Sequence, residues 1–168
     1  MDEPQAIDGS ELRQVAGEFA TGVTVVTTVV DENPHGCAAN AVMSVSLDPP
    51  LMMVCLARTS STHPRVSTSG RFAINVLPDS PSGRDICGVF AGKGAEKFAE
   101  IGHFPGLTGA PVLTDALGWL ECVTERSDDL GDHTAFVGRV VAVGRRDGRP
   151  LIFHRGQLQS LAEDDREL

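Results

Sequence analysis

Gly36-Cys37-Ala38-Ala39-Asn40-Ala41-Val42-Met43-Ser44-Val45-Ser46-Leu47-Asp48-Pro49-Pro50-Leu51-Met52-Met53-Val54-Cys55-Leu56 is the stretch on which the reading of this chain turns. It has three parts. Gly36 to Ala41 is a run of small residues that lets something large approach the backbone. Ser44, Val45, Ser46 and Leu47 then alternate polar and apolar, as a half-buried strand does. Asp48-Pro49-Pro50 ends that strand, because a proline has no N–H to donate to a ladder. Leu51 to Leu56 is a continuous apolar run, short enough for a strand buried on both faces.

Upstream, Val23 to Val30 contains only Val and Thr. Every residue is β-branched, which makes this a strand. Asp31 to Gly36 reads as the turn of a hairpin back into the opening stretch. Before the strand, residues 1–7 are a polar lead-in, and Asp8 with Glu11 resembles a capping box. Leu12, Val15, Ala16 and Phe19 recur at helical spacing, and Gly22 can end that helix.

Downstream, Ser61 or Thr62 can cap a helix with Pro64 in its first turn and Gly70 at its stop. Arg71 to Leu77 reads as a strand, Pro78 to Gly83 as a loop, and Arg84 to Phe90 as a helix. Ala91 to Gly94 is flexible, and a second short helix is expected over Ala95 to Ile101. Residues 102–117, rich in Gly and Pro, are expected to be irregular. Trp119 to Glu125 alternates as a strand, Ser127 to His133 is an acidic loop, and Thr134 to Val143 is a long strand. Asp147-Gly148 marks a hairpin turn before Leu151 to Phe153, and residues 163–168 form a charged tail. Many short strands with few helices predict a mainly β fold, a β-barrel with covering helices. With no repeats and no linker, residues 1–168 read as a single domain.

Composition narrows the function. The net charge is −9, and no stretch concentrates Lys and Arg. That argues against a nucleic-acid or anionic-membrane surface. Cys37, Cys55, Cys87 and Cys122 are scattered without a Cys-x-x-Cys pair, so no metal site is expected. No apolar run reaches the roughly 18 residues of a membrane span, and the acidic N-terminus is unlike a signal region. The chain reads as cytoplasmic.

The opening stretch resembles the flavin-binding core of the flavin reductase family, small NAD(P)H:flavin oxidoreductases. That family shows a Gly-small-small-Asn turn, then Ser-Val-Ser-Leu-Asp-Pro-Pro, then an apolar strand. Phe19 to Thr27 is similar to the family's first helix-to-strand junction. Phe72 to Leu77, Gly131-Asp132-His133 and Pro150 to Gly156 are similar to three later elements. The resemblance covers about residues 12–161 and implies an FMN-binding split barrel of the Greek-key type.

It also implies a site. Residues matching Ala38, Ala39, Asn40, Ala41, Ser44 and Val45 would line the flavin ring and ribityl chain. A closely packed barrel strand accounts for the same small residues equally well. The strand end Cys55-Leu56-Ala57 and the following Ser61 and Thr62 would hold the flavin and its phosphate, though an ordinary N-cap also explains the hydroxyls. Phe90-Ala91-Gly92 and Lys97 match a second flavin-contacting loop, whose residues could equally be scaffold. His133 matches the family's His beside the open flavin face, where it contacts nicotinamide. A lone His is more often a hydrogen-bonded surface residue.

There is no Gly-x-Gly-x-x-Gly after a strand, no complete Walker loop and no Gly-x-Ser-x-Gly elbow. A nicotinamide would therefore have to stack on the flavin. The resemblance implies hydride transfer from NADH or NADPH to FMN or FAD, with reduced flavin supplied to a separate flavin-dependent monooxygenase. It also implies a homodimer, as members of the family pair two barrels; separately, the Val/Thr strand and Leu51 to Leu56 offer more apolar surface than one small barrel readily covers. Alternatives are a flavin- or haem-binding split-barrel protein without turnover, or a pyridoxamine-phosphate-oxidase-like enzyme.

Overall fold

The computed structural model describes residues 7–94 and 96–162. Most of the polar lead-in and all of the charged tail lie outside them. Helix α1 (Gly9–Ala16) is capped by Asp8, whose side chain accepts from Ser10 N, and Glu11 completes the capping box. It stops at Ala16, with Gly17 as its cap, well before Gly22. The apolar spacing misled here because Leu12, Val15 and Phe19 all stay exposed, so no core extends the helix. Gly22 instead joins Thr21 in strand β1 (Thr21–Gly22).

Strand β2 (Thr24–Val30) is the β-branched run, and β3 (Asn33–Ala39) returns beside it. The turn between them is only Asp31 and Glu32, with φ of 49° and 64°. A two-residue turn with both φ positive matches the strand twist, so Pro34 to Gly36 fall in the strand and not in the turn. Strands β4 (Val42–Leu47) and β5 (Pro50–Ala57) form the next hairpin. In β4 the apolar side chains face outward: Val45 is 48% and Leu47 93% exposed. In β5 only Val54 and Leu56 are buried, so the run is not covered on both faces.

Helix α2 (His63–Ser69) begins after Thr62 and ends at Gly70, whose φ of 63° is the left-handed stop the sequence predicts. Strand β6 (Arg71–Val76) follows. Helix α3 (Pro81–Ala91) starts earlier than expected, because Ser80 accepts from Gly83 N and Pro81 sits in the first turn. Among the described residues 96–102 there is no helix. Phe98 instead packs edge-on against Phe90 and His103, each with ring centroids 5.0 Å away. Within the stretch expected to be irregular, β7 (His103–Pro105) and β8 (Pro111–Leu113) pair.

Strands β9 (Gly118–Leu130) and β10 (His133–Arg145) make a long hairpin turned by Gly131, at φ 61°, and Asp132. The acidic residues Asp128 and Asp129 thus belong to a strand and not to a loop. Asp147-Gly148 makes no hairpin. Strand β11 (Ile152–His154) pairs instead with β1 and with β12 (Gln157–Gln159).

Seven strands form one antiparallel sheet in the order β3-β2-β6-β9-β10-β5-β4. Its two edges, β3 and β4, are joined in sequence by Asn40 and Ala41 alone. So short a link forces the sheet to coil until its edges meet, which makes the barrel. Val25 and Val26 point to opposite faces of β2. Val26 packs inside with Val54, Leu56, Phe72 and Phe136, and Val66 of α2 joins them. Val25 packs outside against Ile86 and Phe90 of α3.

Two polar groups are buried at no visible cost. Asn75 donates to Val25 O and Thr27 Oγ1 and accepts from Leu113 N. Glu121 accepts from Thr108 N and Thr108 Oγ1. Both therefore satisfy the requirement that interior polar atoms be partnered.

Candidate active site

The meeting of the two sheet edges leaves a cavity of about 590 Å³. Four chain segments wall it. The first is the edge-to-edge link, with Cys37 and Ala38 to Ala41. The side chains are small, and β3 and β4 are edge strands, so backbone groups on their outer sides lack a strand partner. The link itself is fixed, since Ala41 O accepts from Cys55 N at 2.9 Å and Asn40 O accepts from Val42 N at 3.0 Å.

The second wall is the end of β5, with Cys55, Leu56 and Ala57, and the loop residues Thr59, Ser60 and Ser61. This loop is tightly folded. Ser60 N donates to Ala57 O, and Ser60 Oγ accepts from Thr62 N. The third wall is the end of α3, with Phe90, Ala91 and Gly92, followed by Lys93 and Lys97. Gly36 allows this approach, because a Cβ there would lie 2.9 Å from the Phe90 ring. Lys97 Nζ donates to Phe90 O at 3.0 Å and to Gly36 O at 3.4 Å, which holds its ammonium beside the cavity.

The fourth wall is His133. It is the first residue of β10 and pairs with Ala57, the last residue of β5. Arg58 N donates to Asp132 O at 3.0 Å, tying the β9–β10 turn to the loop after β5. His133 Nδ1 donates to Asp132 Oδ1 at 2.7 Å. That hydrogen bond holds the Asp132 carboxyl below its ordinary range. A carboxylate only accepts, so Nδ1 keeps its proton and Nε2 is the acceptor of the neutral ring. Nearby, His63 Nε2 meets Thr134 Oγ1, which donates to Asp129. This chain locks α2 against the hairpin.

All sequence-predicted site residues line this cavity except Ser44, Val45 and Thr62. Ser44 pairs with Met52, two pairs along β4 from the Val42–Val54 pair, so the strand has already run away from the cavity. Val45 sits where the register shifts and faces outward. Thr62 is buried beside the cavity, in a smaller one that adjoins it. Cys37, Thr59, Ser60 and Lys93 line the cavity beyond the predicted set, since nothing in a Thr before a serine run, for example, distinguishes a lining residue from an ordinary turn. Burial pushes the Cys55 thiol up, as expected of a small hydrophobe and not a nucleophile. Among the described residues no three His, Cys, Asp or Glu side chains converge as a metal site would require. Among the described residues no helix is long and apolar enough to cross a membrane.

A model of the family described as "Flavin reductase like domain" matches residues 16–162. The chain belongs to this family. The match spans all four walls of the cavity. The chain is 37% identical over 161 residues to "Flavin-dependent monooxygenase, reductase subunit HsaB" of Rhodococcus jostii, covering 95% of this chain and 82% of the relative. It is also 37% identical to "FMN reductase (NADH) SmoA" of Agrobacterium fabrum, covering 91% and 86%. Among solved structures, NADH:FAD oxidoreductase SgcE6 of Streptomyces globisporus superposes with a TM-score of 0.86 at 32% identity, covering 99% and 97%. The solved flavin reductases of this family are split barrels, and the sheet described above is of that type.

Proposed function

We propose that this chain is an NAD(P)H-dependent flavin reductase, acting as one domain and supplying reduced flavin to a separate flavin-dependent monooxygenase. The observation that carries this reading is the cavity at the barrel seam. It is lined by small residues, approachable backbone and two lysines, which is what a flat ring with an anionic tail needs. The link from Ala38 to Ala41 and the end of β5 would hold the ring. Ser61 and Lys97 would meet the phosphate, with the Thr62 hydroxyl behind them. A bound flavin would supply the redox chemistry, as acceptor of the hydride of a reduced nicotinamide. The chain contributes position. His133, braced by Asp132, orients the nicotinamide at the cavity mouth through Nε2. The rigid hairpin and the loop after β5 keep that mouth in register. Following NADH and NADPH oxidation with added FMN or FAD tests the reading; no oxidation with either flavin would remove it.

The effect of His133→Ala separates alignment from scaffold. The expected result is a ten- to hundredfold fall in kcat/KM for the nicotinamide, about 1.4–2.7 kcal/mol of transition-state stabilisation. Flavin affinity should change little, and Asp132→Asn should cost less. Steady-state kinetics beside a flavin titration reads both. An unchanged kcat/KM would make His133 a surface residue of no consequence.

We further infer a homodimer. The Val/Thr strand is covered by its own helix α3, so it is not the apolar surface that needs a partner. Strand β4 is. It is a sheet edge exposing Met43, Val45 and Leu47, while α1 exposes Leu12 and Val15 and the turn after it exposes Phe19. A patch of this kind on an edge strand is covered most simply by a second copy about a two-fold axis. Light scattering at micromolar concentration should give twice 17.8 kDa, and the monomer mass would refute the pairing.

A further inference from the structure

The cavity does not end at Ser61 and Lys97. A second cavity of about 220 Å³ shares those two residues with it. A third, of about 430 Å³, shares Pro34, His35, Arg65 and Phe98 with the second. The three adjoin through these shared walls, and we take them together as one trench, from the ring pocket through a neck to an outer basin. An FMN whose phosphate met Ser61 and Lys97 would end near the junction of the first two. Everything beyond would then have no occupant.

The neck has features that ask for one. Thr62 is only 1% exposed, and its hydroxyl has no partner. A buried unpaired hydroxyl is costly unless a ligand satisfies it. Arg65 is exposed on α2 and makes no ion pair among the described residues, in a chain of net charge −9. Lys97 supplies a second cation, with one ammonium donor left after its two carbonyl bonds. Burial and the neighbouring Arg65 push the His35 imidazole down, so it serves as a neutral hydrogen-bonding group.

The outer basin is different. Pro34 and Phe98 offer apolar faces, and Asp31 and Glu96 offer carboxylates. Carboxylates repel a phosphate but accept from ribose hydroxyls. Cations first and acceptors second is the order of charge in a diphosphate followed by a nucleoside. We propose that this trench holds the AMP half of FAD, with Arg65 on the second phosphate, so that the protein selects FAD over FMN. The inference rests on the flavin reading of the first cavity.

Fluorescence-quenching titrations with FMN and FAD test it, on the wild type and on Arg65→Ala and Arg65→Lys. The wild type should bind FAD about tenfold or more tighter than FMN, the scale of one charge-assisted contact plus a seated nucleoside. Arg65→Ala should bring the ratio of the two affinities close to one, and Arg65→Lys should restore part of it. Arg65 is an exposed helix position, so these variants should melt as the wild type does. Equal affinities in the wild type, or a ratio that Arg65→Ala does not move, overturns the inference and leaves flavin binding standing. A raised KM for NADH with an unmoved ratio assigns the trench to the nicotinamide nucleotide and equally overturns it. Failure of both flavins to bind removes the flavin reading itself.

Discussion

Ala41→Trp should weaken binding of either flavin at least a hundredfold while the barrel stays folded. Ala41 lies in the two-residue link between the sheet edges and lines the cavity. It belongs to neither core cluster and is exposed, so a large side chain meets the ligand space before it meets the protein interior. Its carbonyl is already held by Cys55 N, which keeps the backbone in place when the side chain grows. An indole in a cavity of this size removes the room for a tricyclic ring, and a hundredfold loss corresponds to about 2.7 kcal/mol. Flavin titration with thermal melting in parallel is the measurement. Unchanged affinity in a folded variant would move the flavin out of the seam altogether.

Gly83→Ala should be the most damaging single methyl in the molecule. Helix propensity alone favours Ala over Gly by about 0.8–1.0 kcal/mol in a helix interior. Space forbids it here. Gly83 is buried in the first turn of α3, and a Cβ would fall far inside van der Waals contact with the Pro78 carbonyl oxygen. That oxygen is main chain and has no rotamer to retreat into. Either the loop after β6 or the start of α3 must move, at a cost of roughly 3–5 kcal/mol. For a chain of this length that lowers Tm by roughly 10 °C. Because α3 carries Phe90, Ala91 and Gly92 to the cavity, flavin affinity should fall with stability. A variant more stable than wild type would show that propensity wins and that the loop yields freely.

The strands were legible where the chain makes its own case. Val23 to Val30 can hardly be anything but a strand, and Gly70 after a Pro-started helix stops where the sequence says it does. Errors arose where tertiary partners decide. The alternation of Ser44 to Leu47 shows a strand but not which face is covered, and here the apolar face is left open. The apolar spacing of α1 was likewise real and buried nothing. The acidic run at Asp128 and Asp129 read as a loop because charge suggests solvent, yet a long hairpin carries charge freely on its exposed face. In the candidate site, small residues and serines were readable because they sit in one contiguous stretch. The neck was not. Arg65 and Phe98 are far apart in sequence, and only the fold sets both beside Pro34.

The seam also governs how the cavity comes into existence. Residues 37–61 supply two of its four walls and are continuous in sequence, yet they belong to opposite margins of a seven-strand sheet. The hairpins β2–β3, β4–β5 and β9–β10 involve near neighbours along the chain and can form early. The pairings that carry one margin round to the other, β6 with β9 and β5 with β10, span long loops and form late. A peptide of residues 21–61 therefore holds most of the small residues and hydroxyls of the site and no site. Flavin affinity in this protein is a report on the last step of assembly, and a ligand present during refolding would act on the finished ring and on nothing before it.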